Sequence, residues 1–133
     1  MLKKFYTYNF GSHINYVDHN NRYAGMHDNA YCCEDVGHRI YDKDGEEVYP
    51  TRTERDAAGN SVDVYENLEF ANEPPTETQD REYAEDGGEV RFKLINPTNG
   101  AEYTLEFHNY HNGYYAHTVE YGTIEHDKRE IDL

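Results

Sequence analysis

The chain has 133 residues, the length of one ordinary domain, and its 12 Lys and Arg against 27 Asp and Glu leave a net charge of −15. A field of that sign repels phosphate, which argues against direct DNA or RNA binding, and it attracts basic surfaces. No apolar run reaches the ~18 residues of a membrane-spanning helix. The segment Met1–Tyr8 lacks the apolar stretch of a signal peptide, and two adjacent cysteines make no disulfide framework. A cytoplasmic, reducing compartment is expected.

With 36% hydrophobic residues, 14 tyrosines and no tryptophan, the core is expected to be modest and built largely on tyrosine rings, with hydroxyls reaching the surface. Lys3 to Asn9 reads as a first strand. Ile14, Tyr16 and Val17 suggest a second, Asp18-His19-Asn20-Asn21 a polar turn, and Arg22 to Met26 a returning third. His27 to Val36 has poor periodicity, and its Asp28-Asn29 would open a turn or cap a short helix. Asp44-Gly45 between Ile40-Tyr41 and Val48-Tyr49 predicts a hairpin. The same segment lacks the spacing of a calcium loop.

Thr51 to Ala58 is polar, and Ala57-Ala58-Gly59-Asn60 marks a turn. Val62, Val64 and Leu68 fit a strand or a short helix equally well. Residues 71–88 carry Pro74-Pro75, many acids and Gly87-Gly88, the composition of an acidic loop.

The C-terminal third has the clearest pattern. Val90, Phe92 and Leu94, then Tyr103, Leu105 and Phe107, then Tyr115, His117, Val119 and Tyr121 alternate with mostly more polar residues. The turns Asn96-Pro97-Thr98-Asn99-Gly100 and Asn112-Gly113 separate these runs. The reading is an antiparallel meander over about 89–122. Glu125 to Leu133 is charged and reads as a frayed helical turn. Altogether residues 1–133 are expected to form a single, mainly β domain (a β-rich α+β fold).

Several groups bear chemistry. Thiolate and imidazole are good Zn2+ ligands, so Cys32, Cys33, His27, His108 and His111 form a candidate metal set for Zn2+; the many acids could also hold a divalent metal, but nothing in their spacing selects one. Against this, neighbouring residues of a strand point to opposite faces, and one buried and one exposed cysteine would need no metal. A cysteine nucleophile would need a nearby histidine, and acidic surroundings raise a thiol's pKa, which opposes activation. No Gly-rich phosphate loop is present, because Gly87-Gly88 precedes a strand. The acids Glu73, Glu77, Asp80, Glu82, Glu85 and Asp86 form either a solvated run or a set of phosphate substitutes for an Arg/Lys groove. Tyr110 and Tyr114 are either packing groups or interface anchors.

Cys32-Cys33-Glu34 followed by Val36, and Asn112-Gly113-Tyr114-Tyr115 followed by Val119, resemble a small phage-borne family without an assigned function. Order and spacing match over about residues 15–122, including the acidic, proline-containing loop. The family carries tryptophans where this chain has none, Phe92 and Phe107 standing in those places by order, and Ala116 stands where it prefers serine. Arg52–Asn60 has no counterpart. The resemblance implies a phage or prophage origin and residence in a bacterial host cell.

Small acidic phage proteins are often inhibitors of host defence, anti-CRISPR proteins among them, which is an argument by analogy. The expected function is therefore a non-enzymatic, stoichiometric inhibitor that binds a basic, nucleic-acid-binding host protein, a CRISPR effector nuclease being the concrete example. The alternatives are a small Zn2+-binding or cysteine-dependent enzyme and a phage assembly factor.

Overall fold

Twelve strands and two antiparallel sheets make up the computed structural model, which describes residues 3–10, 13–27, 35–79, 87–110, 118–123 and 128–132. At 9, 10, 27, 35, 79, 87, 110 and 132 the description is of the backbone.

The strands are β1 (Lys4–Phe10), β2 (His13–Val17), β3 (Arg22–His27), β4 (Asp35–Asp42), β5 (Arg52–Arg55) and β6 (Ser61–Glu66). They continue with β7 (Glu69–Phe70), β8 (Thr76–Gln79), β9 (Gly87–Ile95), β10 (Glu102–Tyr110), β11 (Thr118–Thr123) and β12 (Arg129–Asp132). The larger sheet has seven strands in the order β12-β11-β3-β2-β1-β6-β5. The smaller has five, β4-β10-β9-β7, with β8 paired to β9 beside β7.

The inner faces of both sheets feed one core. Phe5, Tyr16, Met26, Tyr65 and Val119 from the larger sheet join Ile40, Phe70, Phe92, Leu94, Leu105 and Phe107 from the strands of the smaller. The rings interlock across the gap. Tyr16 meets Phe107 edge-on at 6.0 Å between centroids, and within the smaller sheet Phe92 meets Phe107 at 5.9 Å and 88°. Such edge-to-face pairs add to the area that the rings bury. The layout is a sandwich, as expected when two half-apolar sheets cover each other.

Sequence chemistry sets the turns. Gly45, Gly59 and Gly100 adopt φ of 82°, 86° and 76°, each at the turn where a glycine is expected. The Asp44-Gly45 hairpin is short, closed by the Tyr41–Glu47 bridge and by Val48 N–H donating to the Ile40 carbonyl at 2.8 Å. β9 and β10 pair from Ile95–Glu102 to Gly87–Tyr110.

The structure corrects three details of the expected layout. The third run of the C-terminal pattern does not return alongside β10, whose second neighbour is β4. Its described part, β11, crosses to the larger sheet and pairs with β3 and β12. Val119 therefore closes the core from the opposite side to Phe107. The charged tail forms strand β12 where a helical turn was expected, because Ile131 packs against the core beside Val119. The acidic stretch 71–88 contains β8 and the start of β9, and no helix occurs among the described residues.

Candidate functional site

The expected metal set lies partly outside the described residues, namely Cys32, Cys33 and His111. His27 ends β3, opposite His13 of β2 in the larger sheet. His108 belongs to the smaller sheet, on its outward face, where its ring covers Gly37: a Cβ there would meet His108 Cε1 at 2.9 Å. His108 Nδ1 lies 3.8 Å from Glu106 Oε2. Among the described residues no three His, Cys, Asp or Glu side chains form a metal-holding group.

Glu106 is buried although it faces outward, at 2% exposure. Arg39 Nε donates to its Oε2 at 3.0 Å, and Arg91 Nε lies 3.5 Å from its Oε1. The Arg39 guanidinium stacks over Tyr41, 5.0 Å from the ring centroid. The hydrogen bond to Glu106 raises the Arg39 pKa further. These groups tie β4, β10 and β9 together across the outer face.

Of the expected interface acids, Glu73 and Glu77 are described, and both are exposed. Glu73 lies 4.0 Å from Lys93, and Glu77 projects from β8. Asp80, Glu82, Glu85, Asp86 and Tyr114 lie outside the described residues, and Tyr110 is described as the backbone end of β10.

A second acidic region was missed by sequence reasoning. The turn after β4 carries Asp42, Asp44, Glu46 and Glu47 against the single cation Lys43. Asp42 shapes that turn: its Oδ1 accepts from the Asp44 and Glu46 N–H groups at 2.9 and 3.0 Å. A shallow depression of about 380 Å³ joins it to the β9–β10 turn, lined by Asp42, Lys43, Asp44, Glu102 and Tyr103. On the return arm of that turn Tyr49 is 72% exposed, and the Glu47 carboxylate raises its pKa. The signal in the sequence was the crowding of acids around Asp44-Gly45, which hairpin geometry alone does not require.

A cleft of about 420 Å³ opens between β3 and β11 of the larger sheet and the β7–β8 connection of the smaller. Register places Arg22 opposite Thr123 and Tyr121 opposite both Ala24 and Arg129. Alternation along each strand then puts Arg22, Thr123, Tyr121 and Arg129 on the core-facing side, where the sandwich opens. Phe92 closes the floor, its ring 5.4 Å from Tyr121 and 5.9 Å from Phe70. Pro74 and Pro75 form part of the wall, with Glu73 at the rim.

Asp18 organises this corner. It is 1% exposed, and its carboxylate accepts from the N–H groups of Asn20 at 2.9 Å, Arg22 at 3.0 Å and Phe70 at 3.0 Å. Arg22 Nη1 in turn donates to the Phe70 carbonyl at 3.2 Å.

Most other basic side chains are neutralised within the protein. Lys4, Arg52, Lys93 and Lys128 each pair with carboxylates, as do Arg39 and Arg91. Arg22 and Arg129 have no carboxylate partner among the described residues. Comparison with protein-family models, with curated proteins and with solved structures finds no match for this chain.

Proposed function

We propose that this protein is an acidic binding protein that attaches to a basic, nucleic-acid-binding partner and blocks it stoichiometrically. The observation that carries the reading is Tyr49, 72% exposed beside the acids of the β4 turn in a chain of net charge −15. An exposed tyrosine supplies a large amphipathic contact at low entropic cost, and aromatic residues of this kind anchor interfaces. The surrounding carboxylates supply the charge that an Arg/Lys groove otherwise finds in phosphate. The resemblance to a phage-borne family makes a host defence protein the natural partner, an anti-CRISPR-type action on an effector nuclease being the concrete form. Nothing in this action requires catalysis.

The test is affinity capture from bacterial lysate with the wild-type protein and with the double variant Tyr49→Ser/Glu47→Lys. The wild type is expected to retain a basic nucleic-acid-binding protein that the variant releases. Equal retention by both would place the interface elsewhere. Retention of acidic proteins alone would refute the reading.

A further inference from the structure

We infer that the cleft between Arg22 and Arg129 is a binding site for a phosphomonoester carried on a planar ring, of nucleoside monophosphate size. Its volume of about 420 Å³ falls within the ordinary range of small-molecule sites. Its chemistry is opposite to that of the rest of the molecule. In a chain with 27 acids, these two guanidiniums share one cleft and have no carboxylate partner among the described residues.

Geometry favours joint action. The two arginines rise from the same side of the ladder β3-β11-β12, two strands and two residues apart. That spacing corresponds to backbones about 12 Å apart, a span that two arginine side chains can close around one tetrahedral anion. Arg22 is also held in place. Its N–H is bonded to Asp18, its own carbonyl accepts from Asp18 N–H at 3.0 Å, and its Nη1 bonds the Phe70 carbonyl. A guanidinium stays charged at any working pH. Two of them match the charge of about −1.5 to −2 on a phosphomonoester. Tyr121 offers a flat surface for the ring, and Glu73, the one carboxylate among the described lining residues, sits toward Lys93.

The long-range field of the protein opposes any anion. At physiological salt, charges farther than ~8 Å are largely screened, whereas the two contacting guanidiniums are not. The site is thus independent of the acidic region around Tyr49.

Calorimetric titration of the whole protein with adenosine 5′-monophosphate tests this, with adenosine, inorganic phosphate and benzoate as comparison probes. Saturable binding of the monophosphate is expected, tighter than that of any of the other three. Arg129→Gln, on an exposed strand position, should weaken it about tenfold to a hundredfold, the loss of a charge-assisted contact. Arg22→Gln should do the same, with the melting curve as the check on folding. Arg55→Gln, an exposed arginine of the β5–β6 hairpin outside the cleft, should leave affinity unchanged, as should Tyr49→Ser. Absence of saturable binding at millimolar monophosphate, equal affinity for adenosine or benzoate, or an Arg129→Gln protein that binds as well as the wild type would each overturn the assignment.

Discussion

Gly25 shows how closely the larger sheet is fitted at the level of one residue. A Cβ placed there would lie 2.2 Å from Asn15 Oδ1 and 2.5 Å from the Ile14 carbonyl oxygen. The first atom belongs to a side chain that can move, but the second is backbone of the paired strand β2. Gly25→Ala must therefore push β3 away from β2, a strain that costs about 1–3 kcal/mol. Chemical denaturation should show that loss as a lower midpoint with an unchanged slope. A midpoint equal to that of the wild type would mean the ladder absorbs the methyl group.

The buried tyrosines give a pH signature at the same scale. The Tyr16 hydroxyl is bonded to His38 Nδ1 at 2.7 Å, so here the hydroxyl is satisfied inside the sandwich and not at its surface. Burial, reinforced by Tyr65 and Asp63, raises its pKa well above 10.0. Burial and the Asp63 charge push Tyr65 from 10.0 to about 12. In the unfolded chain these phenols lose their protons near the ordinary value, while in the folded chain they keep them. Stability is therefore fully present below about pH 10 and falls as pH rises through about 12. Tyrosinate absorbance should develop in two stages, with the buried group ionising together with unfolding. A single smooth titration near pH 10 in folded protein would contradict the burial of both rings.

At the scale of elements, the connection that fixes the two sheets is the Asp18 turn. Its carboxylate binds two N–H groups of the β2–β3 connection and the Phe70 N–H of β7, in the smaller sheet. Asp18→Ala leaves three donors without that acceptor and should cost about 3–5 kcal/mol, from the loss of several bonds to a buried carboxylate. Thermal melting would register it, and a melting temperature within a degree of the wild type would show that the turn holds without its staple.

Much of the strand content was legible in the sequence. β9 and β10 could be read because Val90, Phe92 and Leu94 face Leu105 and Phe107 in a period of two, with Asn99-Gly100 between them. What alternation does not carry is which sheet a strand joins. Val119 and Tyr121 have the same pattern in either sheet, and only the shared core decides that β11 lies beside β3. The acidic stretch hid β8 for a related reason. Its hydrogen bonds go to β9, and Thr76, Glu77, Thr78 and Gln79 carry no apolar signal of that pairing. The candidate binding groups were less legible still. Glu73 and Glu77 were visible as charge, but Tyr49 and the Arg22–Arg129 cleft depend on exposure and register.

At the scale of the whole molecule, charge is arranged in two opposed ways. Cations of the sheet faces are spent on neighbouring acids, as in Lys4–Glu54 and Lys93–Glu102, both 2.7 Å apart. Such surface pairs contribute little stability each, so their main consequence is electrostatic: they remove positive charge from what the protein presents outward. The acids around Tyr49 are left largely without that compensation, which suits a basic partner. No helix among the described residues is long and apolar enough to cross a membrane.

In the proposed action the acidic region around Tyr49 takes the place of nucleic acid on a basic protein. The most direct measurement is competition: the captured partner, loaded with labelled nucleic acid, is titrated with this protein at increasing salt. Release of the nucleic acid at one equivalent is expected, with loss of that effect in Tyr49→Ser/Glu47→Lys and weakening of the protein complex as salt rises. A ternary complex that keeps its nucleic acid, or a protein complex unchanged at ~1 M salt, would contradict it.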